Sequence, residues 1–167
     1  MTAATNNRMD FSIPAHPTTG ILNGDDLLFF YYDIGIENLQ DWSKVYDWDS
    51  VVAKFDGLLD IDACSIDQIP EHYTQNKIRF TVFNDEKSGD EPKAAAFFRH
   101  LRNAFAHYHI IREGDNYILT DMAHKTTMRG LVNADLLKRF CYSFFEIRES
   151  IITDTANSNQ PPLNNKI

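Results

Sequence analysis

Apolar and polar positions recur along this chain with two different periods, and the places where the period changes mark its elements. Phe97, Leu101, Ala104, Phe105 and Tyr108 fall on one face at helical spacing, with Phe98 at its edge. Asp90 is placed to cap this helix, Pro92 suits its first turn, and Ala94-Ala95-Ala96 favours it. After Tyr108 the pattern shortens. His109–Arg112 and Tyr117–Thr120 flank Gly114-Asp115-Asn116, which predicts a hairpin, and Thr126–Val132 can add a third short strand. The helical period then returns: Asn133 is the expected cap of a last helix with the stripe Leu136, Leu137, Phe140, Phe144, Ile147 and Ile151.

The first half is less regular. Asp25 or Asp26 can cap a helix through Leu27–Tyr32, with Gly35 ending or interrupting it. Trp42, Val45, Tyr46, Val52, Phe55 and Leu59 recur at three- and four-residue steps, with a slip near Asp47–Asp49. That predicts one interrupted helix or two short ones, in which Trp42 and Trp48 are packing residues. Residues 60–76, with Pro70 inside, read as a loop, and Lys77–Asn84 is open between a strand and a helical turn. Residues 1–23 lack periodicity and contain Pro14 and Pro17; they read as a flexible arm. Residues 155–167, polar and carrying Pro161-Pro162, read as a disordered tail. The expected fold class for 24–154 is mainly α, with a short β-hairpin or meander inserted before the last helix.

Length and composition narrow the class. At 167 residues the chain suits one domain with a sizeable core. No apolar run is long enough to span a bilayer, and Met1–Met9 lacks the apolar stretch of a signal peptide. Cys64 and Cys141 are the two cysteines; without a secretion signal they are expected as free thiols in a cytoplasmic protein. The net charge of -8 argues against a broad nucleic-acid surface. Between Pro92 and Arg112, however, stand Lys93, Arg99, Arg102, Arg112, three histidines and no carboxylate. That segment carries +4 and leaves -12 on the rest. A local basic strip on an acidic body suits a small phosphate site.

The candidate chemistry lies in the same segment. On a helix, Arg99, His100, Arg102, Asn103, Ala106 and His107 share the side opposite the apolar stripe. Guanidinium and imidazole are what metal-free RNA cleavage needs: a fixed positive charge for phosphate and a group titrating near neutral pH. Arg102 and His107 are separated by about 140° around the axis, so a second copy of the helix across a two-fold axis could bring two such pairs into one cleft. His100, two helical turns before His107, and Arg99 are further candidates for the same cleft. A metal site from His100, His107 and His109 is disfavoured, because no cysteine or carboxylate lies at ligand spacing beside them. Asp60, Asp62 and Asp67 lack the glycine and terminal glutamate of a calcium loop and read as solvated. There is no phosphate-binding glycine loop and no nucleophile elbow.

Arg102-Asn103-x-x-x-His107, within Leu101-Arg102-Asn103-Ala104-Phe105-Ala106-His107, resembles the signature of the HEPN domains. The resemblance covers roughly residues 90–153: a late helix, a short β excursion and a final helix. It implies a HEPN-like helical bundle that dimerises and pairs two motifs. It also implies metal-independent endoribonuclease activity without a cofactor, with Arg102 and His107 as the catalytic pair and Asn103 supporting them. Members of this kind act on RNA as toxins, with an antitoxin protein as possible partner, or as abortive-infection effectors against phage. Toxins paired with a nucleotidyltransferase antitoxin often carry a tyrosine two residues after the histidine. Here that position is His109 and the tyrosine is Tyr108, which speaks against such a partner. Relatives that have lost catalysis serve as nucleotide- or protein-binding modules, and that is the alternative.

Overall fold

The computed structural model describes residues 21–35, 47–80 and 91–158. Chain order runs α1 (Gly24–Leu28), continued by a π-helical turn over Phe29–Asp33, then α2 (Trp48–Lys54), β1 (Asp60–Ala63) and a 3-10 turn (Ile66–Gln68). It goes on through β2 (Lys77–Phe80), α3 (Lys93–Ala106), β3 (Ile110–Glu113), β4 (Asn116–Met122), β5 (Thr126–Asn133) and α4 (Ala134–Ser158). The expected meander is present as β3-β4-β5, and it is part of something larger. The five strands form one mixed sheet in the order β1-β2-β5-β4-β3, parallel between β1 and β2 and antiparallel elsewhere.

The expectation of a mainly helical bundle with a small β insertion is therefore overturned by this five-stranded sheet. The reason lies in β1 and β2. Residues 60–63 read as loop because Ile61 is their one strongly apolar residue. In the strand Ile61 turns into the core, and the flanking carboxylates lie beside the cations of β2: Asp60 opposes Lys77, with 2.8 Å between charges, and Asp62 opposes Arg79, at 3.5 Å. The segment left open between strand and turn is strand over Lys77–Phe80, and residues 81–84 lie outside the described residues.

Helix ends follow local chemistry. Asn23, not Asp25 or Asp26, caps α1: its Oδ1 accepts from the Asp26 amide (2.9 Å), while Asp26 Oδ2 accepts from the Asn23 amide (3.1 Å). Asn133 Oδ1 accepts from the Leu136 amide at 3.0 Å, as the cap expected for α4. Pro92 takes the cap position of α3, and Asp90 lies outside the described residues.

The core is aromatic. Trp48 of α2 lies against Phe97 of α3 and against Phe140 and Phe144 of α4, with ring centroids 5.5–5.8 Å apart. Trp48 is thus the packing residue expected, while Trp42, Val45 and Tyr46 fall outside the described residues. Phe30 stacks on Phe105 and meets the edge of Tyr117, joining the π-helical turn to α3 and β4. The β2–β5 seam is tight at Gly130, opposite Ile78: a Cβ there would stand 2.9 Å from Ile78 Cγ1 and from the Lys77 carbonyl. Gly130→Ala is expected to cost about 1–3 kcal/mol, read as a lower urea midpoint at unchanged slope.

One buried carboxylate ties the first helix to the rest. Asp26, 0% exposed, accepts from Arg112 Nη1 (2.8 and 2.9 Å), from Lys138 Nζ (2.9 Å) and from the Tyr117 hydroxyl. Burial alone would raise its pKa. The hydrogen bonds from Tyr117, Lys138, Arg112 and the Asn23 amide outweigh burial and hold the carboxyl down at about 2.

Candidate functional site

The motif residues lie in the last turns of α3, where the helix stops. His107 N–H donates to the Asn103 carbonyl (3.0 Å), Tyr108 N–H to Phe105 (3.0 Å) and His109 N–H to Ala104 (2.7 Å). The last two bonds are the paired closures of a Schellman motif. Its left-handed position is Tyr108, at φ 59°. Glycine is the usual occupant, and a side chain there costs roughly 1–2 kcal/mol. The turn leaves His107 exposed and brings its ring to 6.1 Å from that of His109. Nδ1 of His109 is buried and without a hydrogen-bond partner among the described residues.

Arg102 is half-buried. Its Nη2 donates to Asn103 Oδ1 at 2.6 Å, and its Nε has no hydrogen-bond partner among the described residues. No carboxylate there pairs with it, which sets it apart from its neighbours on the basic strip. Arg99 is clamped by Glu91, Nε to Oε1 at 2.9 Å and Nη2 to Oε2 at 2.7 Å, and this holds the Arg99 pKa above its ordinary value. Arg112 is committed to Asp26. Lys93 lies 3.6 Å from Asp49, so of the four cations in the segment Arg102 is the one without a carboxylate partner among the described residues.

His100 does not share the exposed strip. It is 0% exposed, with Nδ1 donating to Asp121 Oδ2 at 2.6 Å and Thr127 Oγ1 3.4 Å away. Asp121 also accepts from Asn103 Nδ2 at 3.4 Å. Burial by itself would raise the Asp121 pKa; the bond from His100, then those from Thr127 and Asn103, prevail and keep it below the ordinary carboxylate value. A chain of contacts thus runs from β4 to the surface: Asp121 to Asn103, and Asn103 to Arg102. The structure brings Arg102, Asn103 and His107 to the helix end. It buries His100 against Asp121 and turns Arg99 to Glu91.

Asp121 is the residue that sequence reasoning missed. The signal was available: Tyr117, Leu119 and Asp121 alternate along β4, and all three are buried. A carboxylate at the third inward position of a strand calls for a partner. The β4–β5 register shifts between Asp121 and Met122, an irregularity of the kind that re-aims side chains beside sites. Asp121→Ala is expected to cost about 1–3 kcal/mol, because His100 then loses its acceptor in the core. Urea denaturation at neutral pH measures it. Among the described residues no group of three or more His, Cys, Asp or Glu is placed to hold a metal ion.

The family model that matches is described as HEPN pEK499 p136 and covers residues 37–155, most of the chain; the protein belongs to that family. No curated protein and no solved structure matches it.

Proposed function

We propose that this protein is a metal-independent endoribonuclease of the HEPN type, acting as a homodimer. The observation that carries the reading is the Arg102 guanidinium, held by Asn103 and paired with no carboxylate among the described residues, on the helix that the exposed His107 ends. Arg102 binds the scissile phosphate and stabilises charge on its oxygens as the transition state forms. The ribose O2′ attacks phosphorus, the bond from phosphorus to O5′ breaks, and imidazole moves the protons. One His107 takes the 2′-hydroxyl proton; the partner copy supplies the other imidazole, which protonates the leaving O5′. Products are a 2′,3′-cyclic phosphate and a 5′-hydroxyl, and DNA is not cut. Asp121 and His100 serve by holding Asn103 and the helix end in place.

A role as toxin or abortive-infection effector in the cytoplasm, with or without an antitoxin partner, extends this reading on family grounds. No helix among the described residues is long and apolar enough to cross a membrane, and Cys64 and Cys141 are free thiols. The test is incubation of end-labelled structured and unstructured RNAs with the purified chain in EDTA. Cleavage leaving a cyclic phosphate end supports the proposal. Absence of cleavage across a broad RNA set overturns it in favour of a non-catalytic HEPN binding module.

A further inference from the structure

Two non-glycine residues among those described have a left-handed backbone, Asn76 and Tyr108. Asparagine tolerates that conformation through its short polar side chain; a bulky aromatic does not. The backbone closes the helix end through the Tyr108 and His109 amides, but the Tyr108 side chain gains no hydrogen bond among the described residues in return. Its ring is 81% exposed, and its hydroxyl has no partner among the described residues. Strain of this kind gathers where a side chain must be presented to something outside the fold. Tyr108 stands between His107 and His109, at the end of the helix that carries Arg102.

We infer that Tyr108 is a stacking platform for a base next to the phosphate that Arg102 holds, so that the substrate is single-stranded or looped RNA. The inference rests on the ribonuclease reading. In a duplex both faces of each base are already stacked, whereas an unpaired base can lie on an aromatic ring. Charge points the same way. The basic strip carries +4 against -12 elsewhere, which denies the protein a long grip on the phosphate backbone. Affinity then depends on a few close contacts, and stacking supplies one without fixing the sequence read.

The full-length chain tests this. Tyr108→Gly removes the ring and relieves the left-handed strain, so it is expected to be at least as stable as wild type. On a short single-stranded RNA, KM is expected to rise about 5- to 100-fold with kcat changed much less, and Tyr108→Phe to stay near wild type. In a His107→Ala background, the same RNA carrying 2-aminopurine is expected to lose fluorescence on binding, and to keep it when Tyr108→Gly is added. Unchanged KM and quenching in Tyr108→Gly would overturn the inference. So would preference of the wild type for duplex RNA. Dissociation of Tyr108→Gly to monomers, at concentrations where wild type sediments as a dimer, would overturn it by assigning the ring to the contact between copies. Tyr108-dependent quenching without cleavage by wild type would support stacking and sink the ribonuclease reading.

Discussion

His107→Ala is expected to slow RNA cleavage by about 10²- to 10⁴-fold while leaving the fold intact, since this is the range that a positioned general acid or base contributes. The side chain is exposed and makes no hydrogen bond to the described residues, so its removal orphans no buried group. Stability is expected to stay within about 0.5 kcal/mol of wild type. Arg102→Ala is expected to lose activity comparably, through the phosphate. Arg102→Lys restores the charge but not the planar fork that donates to both Asn103 and a phosphate, so rescue is expected to be poor. The loss for His107→Ala belongs in kcat, measured in EDTA on protein cleared of contaminating nuclease. Wild-type turnover by that variant ends the assignment of His107.

Asp26→Ala is expected to be the most destabilising single change in the chain, at about 3–5 kcal/mol, a large part of an ordinary domain's stability. It leaves Arg112 and Lys138 facing each other without their shared counter-charge, and it strips the buried Tyr117 hydroxyl of its acceptor. Acid titration provides a second readout. The Asp26 carboxyl falls from its usual 3.8 to about 2 in the folded protein. The unfolded chain therefore holds this proton more tightly, and the stabilisation is complete above about pH 4. It is lost as pH falls through 2, an amount of about 2 kcal/mol. The gap in urea midpoint between wild type and Asp26→Asn should narrow over that interval. A gap that stays constant from neutral pH to pH 2 contradicts the paired, ionised state of Asp26.

Periodicity was a good guide where packing is local and a poor one where a distant strand decides. The stripes of α3 and α4 and the meander between them were legible because three- and four-residue steps and the Gly114 turn are local signals. Strands β1 and β2 were not, because the alternation of Asp60 and Asp62 gains meaning only when Lys77 and Arg79 lie beside it. The helical wheel also failed at two positions of the candidate site. It put Tyr108 on the core face, but the helix stops at Ala106 and the Schellman turn swings the ring outward. It put His100 on the open side, where β4 brings Asp121 to cover it. The motif itself was legible from spacing. Its scaffolding belongs to another strand and was not.

The Asp26 cluster also sets an order of events for a chain that emerges from its amino end. Its three side-chain donors lie 86, 91 and 112 residues downstream. Until Lys138 has been synthesised, the carboxylate has no dry place to go, and α1, five residues long, is too short to persist by itself. The first helix is thus expected to dock only once the hairpin and the start of the terminal helix are present, at the cost of a long loop closure. A nascent chain arrested before that point would expose Phe29 and Phe30, and with them a sticky surface for chaperones or for its own neighbours on the same message.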